Sequence, residues 1–275
     1  MFKWLRRLRA LPPIPEAAWQ ATLRRYAFLG ALPAADRQRL RSLTAGFLRD
    51  KEFHGAKGFT ITNEVALAIA AQAVLPVLHL KGGLNWYDDF VGIVVHRSEV
   101  VARRKVIDEA QVVHEYGEVV AGEAMERGPV MLSWDDVLAS SITSERGYNV
   151  VIHEFAHKLD LRSGFADGMP SLSAHPDIKP RAWRQVLDDS LDRFIAAVDA
   201  VEAAIPHDVD PESEEADAWY GQLPMDPYAA TDEGEFFAVS SEHFFVDPFP
   251  MQQALPEWYA MLRAYYRQDP LERFA

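Results

Sequence analysis

The segment His153-Glu154-Phe155-Ala156-His157 has residue types and a spacing that can do chemistry. Two histidines four apart on a helix project from one face, a turn apart, so both imidazoles reach a single metal ion. The glutamate beside the first histidine lies about 100° round the helix, close enough to take a proton from a metal-bound water without ligating the metal. This is the H-E-x-x-H arrangement of two zinc ligands and a general base, and it predicts metal-assisted peptide hydrolysis. A five-residue pattern can arise by chance, so its setting matters. Val150, Val151, Ile152, Phe155 and Leu159 make the flanks apolar. Imidazoles and a carboxylate are costly to bury there unless they pair or ligate. His114-Glu115-Tyr116-Gly117-Glu118 begins in the same way but ends in glutamate, and reads as surface.

A catalytic zinc needs a third protein ligand and an open position. The chain has no cysteine, so thiolates and disulfides are excluded and His, Asp or Glu must hold any metal. The metzincin continuation would place Gly at 160 and His at 163; Asp160 and Ser163 stand there instead. The other common solution is a glutamate on a later helix. The stretch 231–245 supplies Glu235 and Glu242, two turns apart on a shared face, with Phe236, Phe237, Phe244 and Phe245 to bury the helix. Glu233, at its start, reads as an N-terminal helix charge. Spacing alone leaves Glu235 and Glu242 both open.

These segments need a scaffold. Apolar periodicity predicts helices over 19–28, 34–53, 62–74, 148–161, 181–203, 231–245 and 256–267, and strands over 91–95 and 128–132. The acidic stretch 205–226 reads as an exposed loop or insertion. Helices and a few strands without regular βαβ alternation predict an α+β fold with a small mixed sheet. Pro12-Pro13-Ile14-Pro15 separates a basic tail from the rest of the chain, so the expected organisation is a tail over 1–16 and one domain over 17–275 whose N-terminal part is helical. At 49% hydrophobic residues, 275 residues can bury a sizeable core. A net charge of −13 argues against direct nucleic-acid binding, which rests on Lys and Arg neutralising phosphates. No apolar run of roughly 18 residues occurs, so no membrane span is expected and the cytoplasm is the default location.

His153 to Asp160, Asp226-Pro227-Tyr228-Ala229-Ala230 and Glu235 to Glu242 together resemble the Mlc titration factor (MtfA) peptidases. The likeness extends through Gly128 to Asp136 and covers nearly the whole chain. It implies a zincin-like, gluzincin-type fold whose catalytic region is similar to that of anthrax lethal factor, with one zinc per chain. In that family the third ligand is the glutamate seven residues after a tyrosine that faces the metal. Tyr228 and Glu235 have that separation here, so the resemblance implies His153, His157 and Glu235 as ligands, and Glu154 and Tyr228 as catalytic residues. It further implies aminopeptidase-like action on a peptide or protein substrate and binding of an Mlc-type transcriptional repressor. A regulatory binding protein and a non-peptidase zinc hydrolase are the competing readings. Asp160 and Glu242 each read either as a carboxylate orienting a ligand or as a structural residue. His243, where family members more often carry tyrosine, reads as a surface or packing residue.

Overall fold

The structure is a computed structural model that describes residues 13–98, 103–107, 113–117, 128–143, 147–211, 213 and 215–273. Residues 1–12 of the basic tail fall outside these residues, as do Glu118 and the side chains of the His114 segment, while Glu16, placed in the tail, opens the first helix.

Helix α1 (Glu16–Arg25) leads, after a short helical turn at Ala27–Gly30, into α2 (Ala34–Asp50). The expected single helix over 19–28 is broken at Tyr26, whose backbone leaves the helical region. Strand β1 (Glu52–Gly55) follows where a longer helix was expected. The cause is Lys51, which is buried and extended at the end of α2. Its ammonium donates to the carbonyls of Tyr87 and Phe90 and sits 3.6 Å from the centre of the Phe90 ring. Helix α3 (Asn63–Ala73) is capped by Thr62, whose hydroxyl accepts from the Val65 amide.

Strands β2 (Gly92–His96), β3 (Arg103–Ile107), β4 (Val113–Gly117) and β5 (Val130–Ser133) complete the β structure among the described residues. The main sheet has the order β1-β2-β5 and is wholly parallel, while β3 and β4 form a separate antiparallel pair. The expected small mixed sheet is therefore two sheets, each of one sense. Alternation identifies a strand's faces but says nothing of its partners, which here come from distant parts of the chain. In this order β5 is an edge strand.

Among the described residues, the longer helices that follow are α4 (Trp134–Thr143), α5 (Val150–Asp160), α6 (Pro180–Glu202), α7 (Glu233–Val246), α8 (Pro248–Ala254) and α9 (Pro256–Tyr266). Every residue of α7 from Phe236 to Val246 is buried. Trp183, Phe236, Phe237, Phe244, Trp258, Tyr265 and Tyr266 are all fully buried and pack as a continuous aromatic cluster round it. Each such side chain contributes roughly 1.5–3 kcal/mol by leaving water. Two hydroxyls on α7 are satisfied within the cluster: Trp258 Nε1 donates to Ser240 Oγ at 2.8 Å, and the Ser241 and Tyr266 hydroxyls lie 2.7 Å apart. Helix α7 therefore sits rigidly against α5, which holds the motif. No helix among the described residues is long and apolar enough to cross a membrane.

Candidate metal centre

Helix α5 begins at Asn149, whose side-chain oxygen accepts from the Ile152 amide at 3.0 Å. The same side chain donates to Gln72 on α3 at 2.8 Å. With its start fixed, α5 turns Val151, Ile152, Phe155, Ala156 and Leu159 into the core and leaves His153, Glu154 and His157 half-buried on a cleft. Helix α7 starts at Asp232, whose carboxylate caps the Glu235 amide at 2.9 Å. The cap leaves the Glu235 side chain free to face α5.

Three atoms converge between these helices. His153 Nε2 and His157 Nε2 are 3.1 Å apart, and Glu235 Oε2 lies 3.3 Å from the first and 3.4 Å from the second. Despite those separations, the buried Glu235 Oε2 makes no hydrogen bond to either ring. The three atoms lie close enough together to share one ion. A tetrahedral zinc about 2.0–2.1 Å from each donor requires donor separations of about 3.3–3.4 Å. The residues present therefore fit a metal, and two imidazoles with one carboxylate suit zinc.

Glu242, one of the two glutamates that spacing left open, stands behind His153. Its Oε1 lies 2.7 Å from His153 Nδ1, and its Oε2 accepts from the Asn149 amide. A carboxylate there holds the proton on Nδ1 and leaves the Nε2 lone pair directed at the centre. Burial alone would pull the His153 imidazole down, but the Glu242 and Glu235 carboxylates push it well above the usual histidine range. Burial raises Glu235, and the two imidazoles outweigh this and hold its carboxyl well below the usual range.

Asp160 does not touch the His157 ring. It is fully buried and accepts from the Gly168 amide at 2.8 Å, closing the loop that follows α5. That loop packs on the start of α7: a Cβ at Gly168 would lie 2.5 Å from the Glu233 carbonyl oxygen. His243 is buried, not on the surface, and its ring lies against Gly147. Two contributors were not anticipated. Asn149 was signalled only as a polar residue ahead of an apolar run. Lys158, buried next to the motif, donates to the Gly128 carbonyl at 3.2 Å and ties α5 to the segment leading into β5.

The cleft has a volume of about 1230 Å³ and is lined by β5 residues Val130 and Met131 with Pro129 before them, by α5, by α7 and by the 217–228 stretch. Tyr228 lies on its wall with its ring centre 6.3 Å from that of His153. The Asp226 carboxylate fixes the Tyr228 backbone by accepting its amide at 2.9 Å. The acidic stretch is only partly the exposed loop that was expected. Ile205, Ala216 and Met225 are buried, and Asp217, Tyr220 and Leu223 form one side of the cleft.

A helix-borne histidine pair facing a glutamate from a second helix is a metal-binding arrangement, and comparison with known proteins agrees in class. The family model described as glucose-regulated metallo-peptidase M90 matches residues 2–267, and the chain belongs to that metallopeptidase family. Among its relatives is Mlc titration factor A of Yersinia enterocolitica, 34% identical over 99% of this chain and 93% of the relative. The protein of the same name from Edwardsiella ictaluri is 36% identical over 89% of this chain and 85% of the relative. That of Yersinia pestis strain Pestoides F is 32% identical over 99% and 92%.

Proposed function

We propose that the chain is a zinc-dependent peptidase in which His153, His157 and Glu235 hold one zinc ion and Glu154 is the general base. The observation that carries this reading is the convergence of three donor atoms on one centre beside Glu154 in a large cleft. Zinc held there supplies Lewis acidity, making water a stronger acid and a carbonyl carbon more electrophilic. Glu154 takes the proton of the attacking water and returns it to the departing amine. Tyr228, on the cleft wall, donates its phenol to the oxyanion that develops on the scissile carbonyl. Glu242 keeps the His153 ring in place throughout. The edge strand β5 offers backbone groups to which an extended peptide adds as a further strand.

Replacing Glu154 with Gln should leave zinc bound and lower turnover by roughly 10²–10⁴-fold. Peptide hydrolysis at the wild-type rate by zinc-loaded Glu154→Gln protein would remove Glu154 from the mechanism.

The relatives' name, Mlc titration factor A, favours a second reading, in which the protein binds an Mlc-type transcriptional repressor. The two activities are compatible. Repressor binding that survives Glu154→Gln while turnover is lost would separate them.

A further inference from the structure

The cleft-facing side of α7 does not stop at the metal. Glu235, Val239, Glu242, His243 and Asp247 all line the cleft, at offsets of four, seven, eight and twelve residues from the first. His243 and Asp247 are one turn apart, and the Asp247 amide donates to the His243 carbonyl at 2.9 Å.

Neither side chain has a partner among the described residues. His243 Nδ1 is buried without a hydrogen bond, and the residue is only 5% exposed. The Asp247 carboxylate is half-buried, and burial raises it above the usual carboxylate range. A buried ring nitrogen without a partner costs stability, and the Asp247 carboxylate beside it on the cleft wall stays open to a ligand.

The position is also constrained. The His243 ring lies where a Cβ at position 147 would fall, within 2.4 Å of three ring atoms, and Gly147 has φ +86°. Only glycine meets both demands, so this loop and this ring are matched to each other.

The chemistry selects a cation. Burial holds the His243 imidazole down at about 4, so at neutral pH it is uncharged and does not repel a cation. Asp247 supplies a negative charge. The only lysine or arginine among the described lining residues is Lys158, which is already engaged by the Gly128 carbonyl. Tyr148 and Pro250 line the same cleft and can pack against an aliphatic stem.

We propose that His243 and Asp247 form a specificity subsite that receives the cationic end of a lysine or arginine side chain of the bound polypeptide. The proposal rests on the peptidase reading and adds a substrate class to it. The rise from Glu235 to His243 is about 12 Å of helix, which an extended peptide covers in about four residues. The recognised side chain therefore lies within about four residues of the scissile bond.

The test uses zinc-loaded enzyme and N-acetylated fluorogenic peptides in which one Lys or Arg is moved along the sequence, with norleucine or citrulline as uncharged counterparts. At one position within four residues of the cleaved bond, Lys or Arg should raise kcat/KM roughly ten- to hundredfold over its counterpart. Asp247→Asn should bring that ratio close to one, and His243→Leu should lower it. Because the ratio compares two peptides on one preparation, partial misfolding of a variant does not change it. No preference in the wild type, or a preference that survives Asp247→Asn, overturns the proposal. A preference seen only in unacetylated peptides also overturns it, because the ammonium group recognised is then the chain terminus. If no peptide is cleaved, the peptidase reading fails separately. The subsite is then read by fluorescence anisotropy of the same peptides on zinc-loaded Glu154→Gln protein. Binding that favours Lys or Arg and loses this in Glu154→Gln/Asp247→Asn supports the subsite; charge-independent binding overturns it.

Discussion

Helix α5 is anchored at its start by Glu242 and at its end by Asp160, and the two buried carboxylates are treated differently. Both oxygens of Glu242 are engaged, one by the His153 ring and one by the Asn149 amide. Asp160 has one oxygen on the Gly168 amide and the other without a partner among the described residues. Burial pushes the Asp160 carboxyl up to about 8, with Asp167 and Asp232 adding to the rise and the Gly168 amide opposing it. The Tyr265 and Tyr266 phenols lie near it and supply no positive charge. At one end of the helix, then, a carboxylate faces an imidazole of the candidate metal centre, and the His153 ring and the Asn149 amide oppose the rise that burial gives it. At the other, a carboxyl group holds a loop and keeps its proton. A buried acid is built for chemistry where a titratable donor faces it, and for folding where only a backbone amide does.

Three measurements probe this difference. The largest effect is expected at the centre itself: Glu235→Ala should abolish zinc binding measurable by isothermal titration calorimetry. An unchanged stoichiometry and affinity would exclude Glu235 as a ligand.

The next effect belongs to the far end. Asp160 has a folded value of about 8 against 3.8 in the unfolded chain, so the folded state carries the extra proton between those limits. Stability from this group is therefore full below about pH 4 and falls as the pH rises towards 8, by a total on the order of 5 kcal/mol. Thermal melts of the wild type should show this decline, and Asp160→Asn, which mimics the protonated form, should flatten it while zinc stoichiometry stays the same. Equal slopes in both proteins would show that Asp160 is ionised in the fold.

Smaller still is Glu242→Gln, which keeps the shape but weakens the hold on His153. Zinc affinity should fall about 10- to 100-fold, or about 1.4–2.7 kcal/mol. An effect as large as that of Glu235→Ala would mean that Glu242 reaches the metal.

Much of this was legible in the chain and some was not, for identifiable reasons. The helices that became α5, α6, α7 and α9 were read to within a few residues, because long apolar periodicity marks them. Strand β1 was missed, since Glu52-Phe53-His54-Gly55 offers one large apolar residue and no alternation. Its place depends on Lys51 reaching carbonyls 36 and 39 residues away. The stretch 205–226 was read from its charge, but Ile205, Ala216 and Met225 are buried, and Asp217, Tyr220 and Leu223 wall the cleft. His243 was read as a surface or packing residue and is the latter, because Gly147, far from it in sequence, packs against its ring.

By itself, the chain determined which residues lie on the cleft face of each helix, because a 3.6-residue repeat sets His153 above His157 and Glu235 in line with Glu242 wherever the helices lie. What only the tertiary structure decided was which of the two glutamates meets both imidazoles and which stands behind one of them. That depends on the height at which α7 crosses α5, and the crossing is set by the Asn149 cap, the Gln72 contact and the aromatic packing round α7, all of them but the cap contacts between residues far apart in sequence.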